Sequence, residues 1–261
     1  MPNRIDQCFS ALRARNEKAF IAYICAGDPD LSRTVDLALA LEKAGTDILE
    51  LGIPFSDPLA DGLVNQLAAQ RALEAGATVA GVLDCIRQIR TRSHIPIVLY
   101  TYLNPIFQFG FERFHREASN AGVDGLLILD LPPEEDQPSD GPLHIRLIAP
   151  TTPPERIEQI CSRAAGFIYY VSREGVTGVQ SSVAASVGDQ VALIRRHTKL
   201  PVAVGFGIST AEQAKEVAQV ADAIVVGSAI VQKINESAGM LDMPVRIGEF
   251  VAPLVTATKA R

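Results

Sequence analysis

DILELGIPFSDPLADG (residues 47–62) opens as a buried strand and closes as a loop. From Ile48 to Ile53 it is apolar almost throughout, the pattern of a parallel strand covered on both faces. Side chains alternate along a strand, so Leu49, Leu51 and Ile53 share one face and Ile48, Glu50 and Gly52 the other. The leucine face suits packing against helices. Glu50 then points to the interior of whatever the sheet encloses, with Gly52 leaving space above it. PFSDP breaks the strand, and Asp61 and Gly62 lead into a helical pattern.

Seven further runs read the same way: FIAYICA (20–26), IPIVLYTY (95–102), VDGLLILDL (123–131), LHIRLIAP (143–150), FIYYVS (167–172), PVAVGFGI (201–208) and AIVVGSAI (223–230). Helical periodicity lies between them, in LSRTVDLALALEKAG (31–45), NQLAAQRALEAG (65–76), VAGVLDCIRQIRTR (79–92), FERFHREASNAG (111–122), PERIEQICSRAAG (154–166) and TAEQAKEVAQVA (210–221). Ser209 is expected to cap the last of these, with Glu212 completing a capping box. Eight strands with crossover helices in 261 residues predict a closed (β/α)8 TIM barrel, a single domain over 1–261 with no composition shift to divide it. An open doubly wound sheet is the alternative, weakened because no GxGxxG follows the first strand. One segment departs from the pattern. PPEEDQPSDGP (132–142) holds four prolines and a glycine and barely spans the dozen residues of a parallel crossover, so a shortened or disordered segment is expected in place of the helix after strand four.

The N-terminal stretch places Ile5, Cys8, Phe9 and Leu12 on one helical face and lacks the apolar core of a secretion signal, which predicts a docking helix. The formal charge of −6 argues against nucleic acid and anionic membrane surfaces as main partners. Cys8, Cys25, Cys85 and Cys161 form no CxxC, and the four histidines show no metal-ligand spacing. The expectation is a cytoplasmic protein with reduced cysteines, no metal and no membrane span.

Function in such a barrel gathers at the C-terminal strand ends. An interior Glu50 is costly to ionise, and a raised pKa suits a group that gives and takes a proton near neutrality. An interior glutamate paired with a cation fits the strand pattern equally. Asp61 by position alone reads as a helix N-cap. Glycines at the ends of strands seven and eight, with Gly207, Gly227 and Ser228 as donors, suit a phosphate group. The segment from Gly175 to Gly178 is expected to act as a lid. Tyr100, Tyr102, Tyr169 and Phe20 could line an aromatic pocket or be plain core. No strand-end lysine or nucleophile elbow appears, which leaves acid–base work by carboxylates.

LELGIPFSDPLADG closely resembles the signature of the tryptophan synthase alpha subunit family. The similarity continues in order through AYICAGDPD (22–30), NPIF (104–107), SREGVTG (172–178), GFGIS (205–209) and VGSAIV (226–231). The resemblance implies a barrel that cleaves indole-3-glycerol phosphate to indole and glyceraldehyde 3-phosphate by a retro-aldol reaction, with no cofactor. It implies Glu50 as the acid–base group and Asp61 as the carboxylate at the indole nitrogen. Phe20, Tyr102, Tyr169 and Thr177 fall on the indole side, and Gly178, Gly207, Gly227 and Ser228 on the phosphate. It also implies a pyridoxal-phosphate beta subunit in an alpha2-beta2 complex, meeting Pro54, Asp57 and Pro58 of the strand-two loop and Asn104 and Pro105 of the strand-three loop. A barrel acting mainly as the allosteric partner of that subunit, and another phosphate-sugar barrel, are the competing readings. The chain departs from the family pattern at Leu63, at the short 132–142 segment, and at Tyr100 and Leu129, which are bulky for an indole pocket.

Overall fold

The computed structural model describes residues 3–135, 140–172, 180–205 and 207–260, the side chains of 180–185 excepted. Eight strands run β1 (Ala19–Cys25), β2 (Ile48–Gly52), β3 (Ile97–Thr101), β4 (Gly125–Ile128), β5 (Leu143–Ile148), β6 (Ile168–Val171), β7 (Val202–Gly205) and β8 (Ala223–Val226). Each pairs in parallel with the next, and β8 pairs with β1, closing a barrel in sequence order. The described helices are α1 (Arg4–Ala14), α2 (Leu31–Lys43), α3 (Leu63–Glu74), α4 (Val79–Arg90), α5 (Leu103–Phe109), α6 (Phe111–Ala121), α7 (Pro154–Ser162), α8 (Gln180–Arg195), α9 (Ala211–Val220), α10 (Ser228–Glu236) and α11 (Met243–Lys259).

The alternation read from the sequence sorts two apolar layers. Leu49, Leu51, Ile97, Leu99, Leu126, Val202 and Val204 pack outward with the helices, among them Leu37 and Leu41 of α2 and Ile86 and Ile89 of α4. Ile48, Val98, Leu127, Ile145, Ala203 and Val225 fill the interior together with Ile5, Phe9 and Leu12 of α1. That shared cluster makes α1 the plug of the N-terminal end of the barrel, as the docking-helix reading expects. Asn3 and Arg4 fasten it by donating to the carbonyl and carboxylate of Asp124, just ahead of β4. Cys25, Cys85 and Cys161 are buried, Cys8 is half-buried, and all four are free thiols.

Several details differ from the sequence reading. Thr210, not Ser209, caps α9, and its box partner is Gln213, not Glu212: the Thr210 hydroxyl accepts from Gln213 N while the Gln213 amide oxygen accepts from Ser209 N and Thr210 N. The pattern is the same, shifted by one residue, because a hydroxyl stands at both positions. AIVVGSAI is not one strand. It stops at Val226, and Ser228 opens α10. NPIF lies in α5 rather than in a loop. Pro105 sits in the first turn, where N–H groups have no intrahelical partner, and the N–H of Leu103 is met by the distant Asp130 carboxylate at 2.7 Å. Between β4 and β5 no helix occurs among the described residues, in line with the short 132–142 segment, of which 136–139 lie outside them.

Candidate functional site

Glu50 sits in the middle of β2, level with Tyr23 of β1 and Val98 of β3. It is 1 % exposed, and its Oε1 has no hydrogen-bond partner among the described residues. Burial, and then the negative charge of Asp61, push its carboxyl up to about 8. No cation among the described residues is a cause acting on it, so the ion-pair reading finds no support among them. The group is a neutral acid at pH 7, held so by exclusion of water.

Asp61 does not cap α3. Gly62 holds the N-cap position and makes no side-chain cap bond. The Asp61 carboxylate instead accepts the Tyr100 hydroxyl at 3.0 Å and the Tyr102 hydroxyl at 2.7 Å. The Tyr102 oxygen also accepts the Ala60 N–H at 3.0 Å, which ties the loop ahead of Asp61 to the end of β3. Burial raises both phenols, so each remains a donor. These contacts span about forty residues of sequence, and position alone could not reveal them.

The two carboxyl groups open on one cavity of about 550 Å³ at the C-terminal strand ends. Tyr23, Tyr100, Tyr169 and Val225 form its aromatic and apolar wall, and Ala60 to Asn65 its rim. Gly205, Gly207, Gly227 and Ser228 form the opposite, glycine-rich side. Ser228 is the first residue of α10, so free N–H groups of a helix start stand at that wall. Gly207 has φ +62°, a left-handed conformation in which a Cβ would be strained. The space above Glu50 has an occupant: a Cβ on Gly52 would lie 2.6 Å from the Tyr23 hydroxyl. Gly205 makes the same allowance for Tyr169, again at 2.6 Å. The glycines therefore admit two phenol heads to the site rather than leaving a void. Asn65 also belongs to this wall, with its Oδ1 buried and lacking a partner among the described residues.

The predicted site residues divide accordingly. Glu50, Asp61, Tyr169, Gly207, Gly227 and Ser228 meet around the cavity. Tyr102 stands behind Asp61 and does not line it. Phe20 is misplaced: it is the second residue of β1, at the N-terminal end, and packs outward with the helix layer. Tyr23, three residues on and on the inward face, takes the aromatic position. Strand direction was the signal available, since a ligand at the C-terminal ends cannot reach a residue at a strand's beginning. Tyr100 is a wall residue, whereas Leu129 lines a separate cavity beside β5. Thr177, Gly178 and the rest of the expected lid lie outside the described residues. Of the expected partner surface, Pro54 is buried within this chain. Asp57 and Asn104 are exposed, and Pro58 and Pro105 partly so. Near them in sequence stand Leu59, 90 % exposed, and Phe107, 69 % exposed. Among the described residues, no three His, Cys, Asp or Glu side chains stand together as metal ligands, and no helix is long and apolar enough to cross a membrane.

Comparison with known proteins gives this geometry a family. A family model described as tryptophan synthase alpha chain matches residues 9–252. The tryptophan synthase alpha chain of Opitutus terrae is 53 % identical over 98 % of this chain and 99 % of its own length. That of Geotalea uraniireducens is 47 % identical over 99 % and 98 %. Among solved structures, tryptophan synthase subunit alpha from Legionella pneumophila superposes with a TM-score of 0.89 at 39 % identity, covering 99 % of both chains. A Mycobacterium tuberculosis tryptophan synthase chain does so with a TM-score of 0.89 at 30 % identity, covering all of both. The chain belongs to the tryptophan synthase alpha chain family, lyases of tryptophan biosynthesis that cleave indole-3-glycerol phosphate to indole and glyceraldehyde 3-phosphate.

Proposed function

We propose that cleavage takes place in the 550 Å³ cavity, with Glu50 as the acid–base group and Asp61 as the carboxylate that holds the indole N–H. The observation that carries this reading is the burial of Glu50 with no cation among the described residues acting on it, which leaves it protonated beside a cavity that Asp61 shares. Glu50 gives its proton to indole C3, forming the indolenine tautomer, whose positive nitrogen the Asp61 carboxylate stabilises. The Glu50 carboxylate so formed then takes the proton of the glycerol hydroxyl next to the ring. The carbon–carbon bond breaks, its electron pair restores the indole, and the hydroxyl carbon becomes the aldehyde. Glu50 ends as it began, protonated, and no further reagent is consumed. The tyrosine wall of Tyr23, Tyr100 and Tyr169 suits the flat ring, and Gly207, Gly227, Ser228 and the first turn of α10 suit the phosphate. Gly178 would add to the phosphate site and Thr177 would meet Asp61 when the site closes.

The chain is proposed to work in the cytoplasm, in an alpha2-beta2 complex with a pyridoxal-phosphate beta subunit that receives the indole. Asp57, Pro58, Asn104 and Pro105, with the exposed Leu59 and Phe107, are the surface offered for it. The test is indole release from indole-3-glycerol phosphate, with and without beta subunit. Glu50→Gln should nearly abolish turnover, and Asp61→Asn should lower it about 10²–10³-fold, the usual loss when a charge-stabilising group is removed. Unchanged rates in either variant would remove that residue from the mechanism.

A further inference from the structure

Three tyrosines line the catalytic cavity, and Tyr100 spends its hydroxyl on the Asp61 carboxylate. The hydroxyls of Tyr23 and Tyr169 meet no hydrogen-bond partner among the described residues. Tyr23 is only 6 % exposed. Glu50 Oε1 and Asn65 Oδ1 are sealed off without a partner, but the Tyr23 oxygen is not among the sealed atoms. The space it opens on is the cavity that Tyr23 lines. Burial raises this phenol well above its ordinary range, so it keeps its proton. A buried tyrosine O–H usually finds a partner, and here the partner has to come from the cavity.

Strand order gives the direction of that partner. Gly227 and Ser228, which suit the phosphate, stand where β8 passes into α10. Asp61 is held at the end of β3 by Tyr100 and Tyr102. Only β1 and β2 lie between β8 and β3 on this side of the barrel. A substrate with its phosphate at one end of that arc and its indole N–H at the other carries its glycerol across β1 and β2. Tyr23 and Glu50 are register partners on these two strands, and both face inward. The Tyr23 ring begins against Gly227, where a Cβ would lie 3.2 Å from its Cδ1. It ends at Gly52, the next inward position after Glu50, where a Cβ would lie 2.6 Å from its hydroxyl. An edge contact with Tyr100, 5.1 Å between ring centroids, holds the ring there. Tyr169 reaches Gly205 of β7 from β6, outside the arc.

We propose that the Tyr23 hydroxyl hydrogen-bonds the middle hydroxyl of the substrate's glycerol chain. That hydroxyl lies between the phosphate and the reacting carbon, as the Tyr23 ring lies between Gly227 and Glu50. The contact selects substrates that carry the hydroxyl, and it turns the neighbouring, reacting hydroxyl toward Glu50. A phenol both donates and accepts, so it suits an alcohol in either sense. Tyr23 exchanges no proton in the reaction, and the proton transfers remain those of Glu50. The inference rests on the cavity being the site of cleavage and adds a substrate contact to it.

The test compares Tyr23→Phe with the unaltered full chain on two substrates, indole-3-glycerol phosphate and its analogue lacking the middle hydroxyl. Phenylalanine keeps the ring, and the lost oxygen holds no described residue in place, so the variant should fold as the unaltered chain does. The unaltered chain should prefer the natural substrate in kcat/KM by about tenfold. Tyr23→Phe should lose about tenfold on the natural substrate, lose nothing on the analogue, and so no longer tell the two apart. An unchanged kcat/KM on the natural substrate would overturn the proposal. So would an equal loss on both substrates, which is what a purely structural role of the hydroxyl produces. Glu50→Gln serves as the control. If it is inert while Tyr23→Phe still discriminates, the Tyr23 contact alone falls; if it turns over normally, the cavity assignment falls as well.

Discussion

Replacing Glu50 by glutamine should make the protein more stable while making it inert, and the gain should grow with pH. Folding raises the Glu50 carboxyl from 4.5 to about 8, chiefly by burial. Between those values the folded chain keeps a proton that the unfolded chain has released. Rising pH therefore draws the equilibrium toward the unfolded state by up to about 1.4 kcal/mol per pH unit. The stabilising effect of holding that proton is complete below pH 4.5 and lost as pH climbs to about 8, above which the difference is constant. Over the window of roughly 3.5 units the upper limit is about 5 kcal/mol. Movement of Tyr23 and Tyr169, and entry of water through the cavity, reduce this to about 2–3 kcal/mol. Glutamine has no proton to lose and escapes the whole effect.

The assay is equilibrium urea unfolding of both proteins at several values between about pH 4 and pH 9, the range that brackets the shift. The midpoints should diverge steadily in favour of Glu50→Gln and run parallel above about pH 8, with the fixed offset between a carboxyl and an amide visible at the acid end. A constant difference across the range would mean that Glu50 titrates as an exposed carboxyl does, and the acid role argued from its burial would fall with it. A difference that shrinks as pH rises would mean that a cation stabilises the ionised form. The same ionisation should appear in catalysis, where kcat/KM of the unaltered enzyme declines above about pH 8 as the proton donor is lost.

Two further substitutions probe how the site is held. Gly52→Ala puts a Cβ 2.6 Å from the Tyr23 hydroxyl and should drive that ring into the cavity, raising KM about tenfold, with a stability loss of about 1–3 kcal/mol in thermal unfolding. Wild-type KM would show that Tyr23 yields without narrowing the site. Arg71→Met removes both bonds that the guanidinium donates to Asp28, at 2.9 and 2.7 Å, and leaves a carboxylate that is 2 % exposed unpaired. The urea midpoint should fall by an amount equal to about 2–3 kcal/mol at pH 7, and an unchanged midpoint would show that the pair adds nothing to stability.

Much of the barrel was legible because its strands are buried on both faces and its helices keep a separate period. Period-two alternation alone placed Leu49 and Leu51 outside and Glu50 inside. Where the reading failed, the deciding interaction was one that alternation does not encode. FIAYICA is apolar on both faces, so Phe20 and Tyr23 look equivalent until strand direction is considered. Asp61 has a helix just after it and looks like a cap, but its partners are two hydroxyls from another strand. NPIF looks like a loop because the helix that holds it opens at Leu103, whose N–H is accepted by Asp130, beyond the next helix and strand. The capping box of α9 slid by one residue because Ser209 and Thr210 offer the same chemistry.

The two carboxyl groups show how one short stretch can supply opposite functions. Glu50 is fixed by the period of a strand and its Oε1 meets no donor among the described residues, so exclusion of water makes it an acid. Asp61 lies beyond the strand, where backbone geometry alone would leave it mobile, and two phenol donors aim its carboxylate at the cavity. Both phenols hold the Asp61 carboxylate in place, and its charge adds to burial in raising the pKa of Glu50. The tyrosines at 100 and 102 thus act on the proton of a residue they do not touch. Coupling of this kind requires both carboxyl groups to face one water-poor space, and the ten residues between them are what carry the chain from the barrel interior to its rim. The dry strand tolerates a glutamate because burial first, and then the charge of the second carboxylate that the loop returns, keep it neutral.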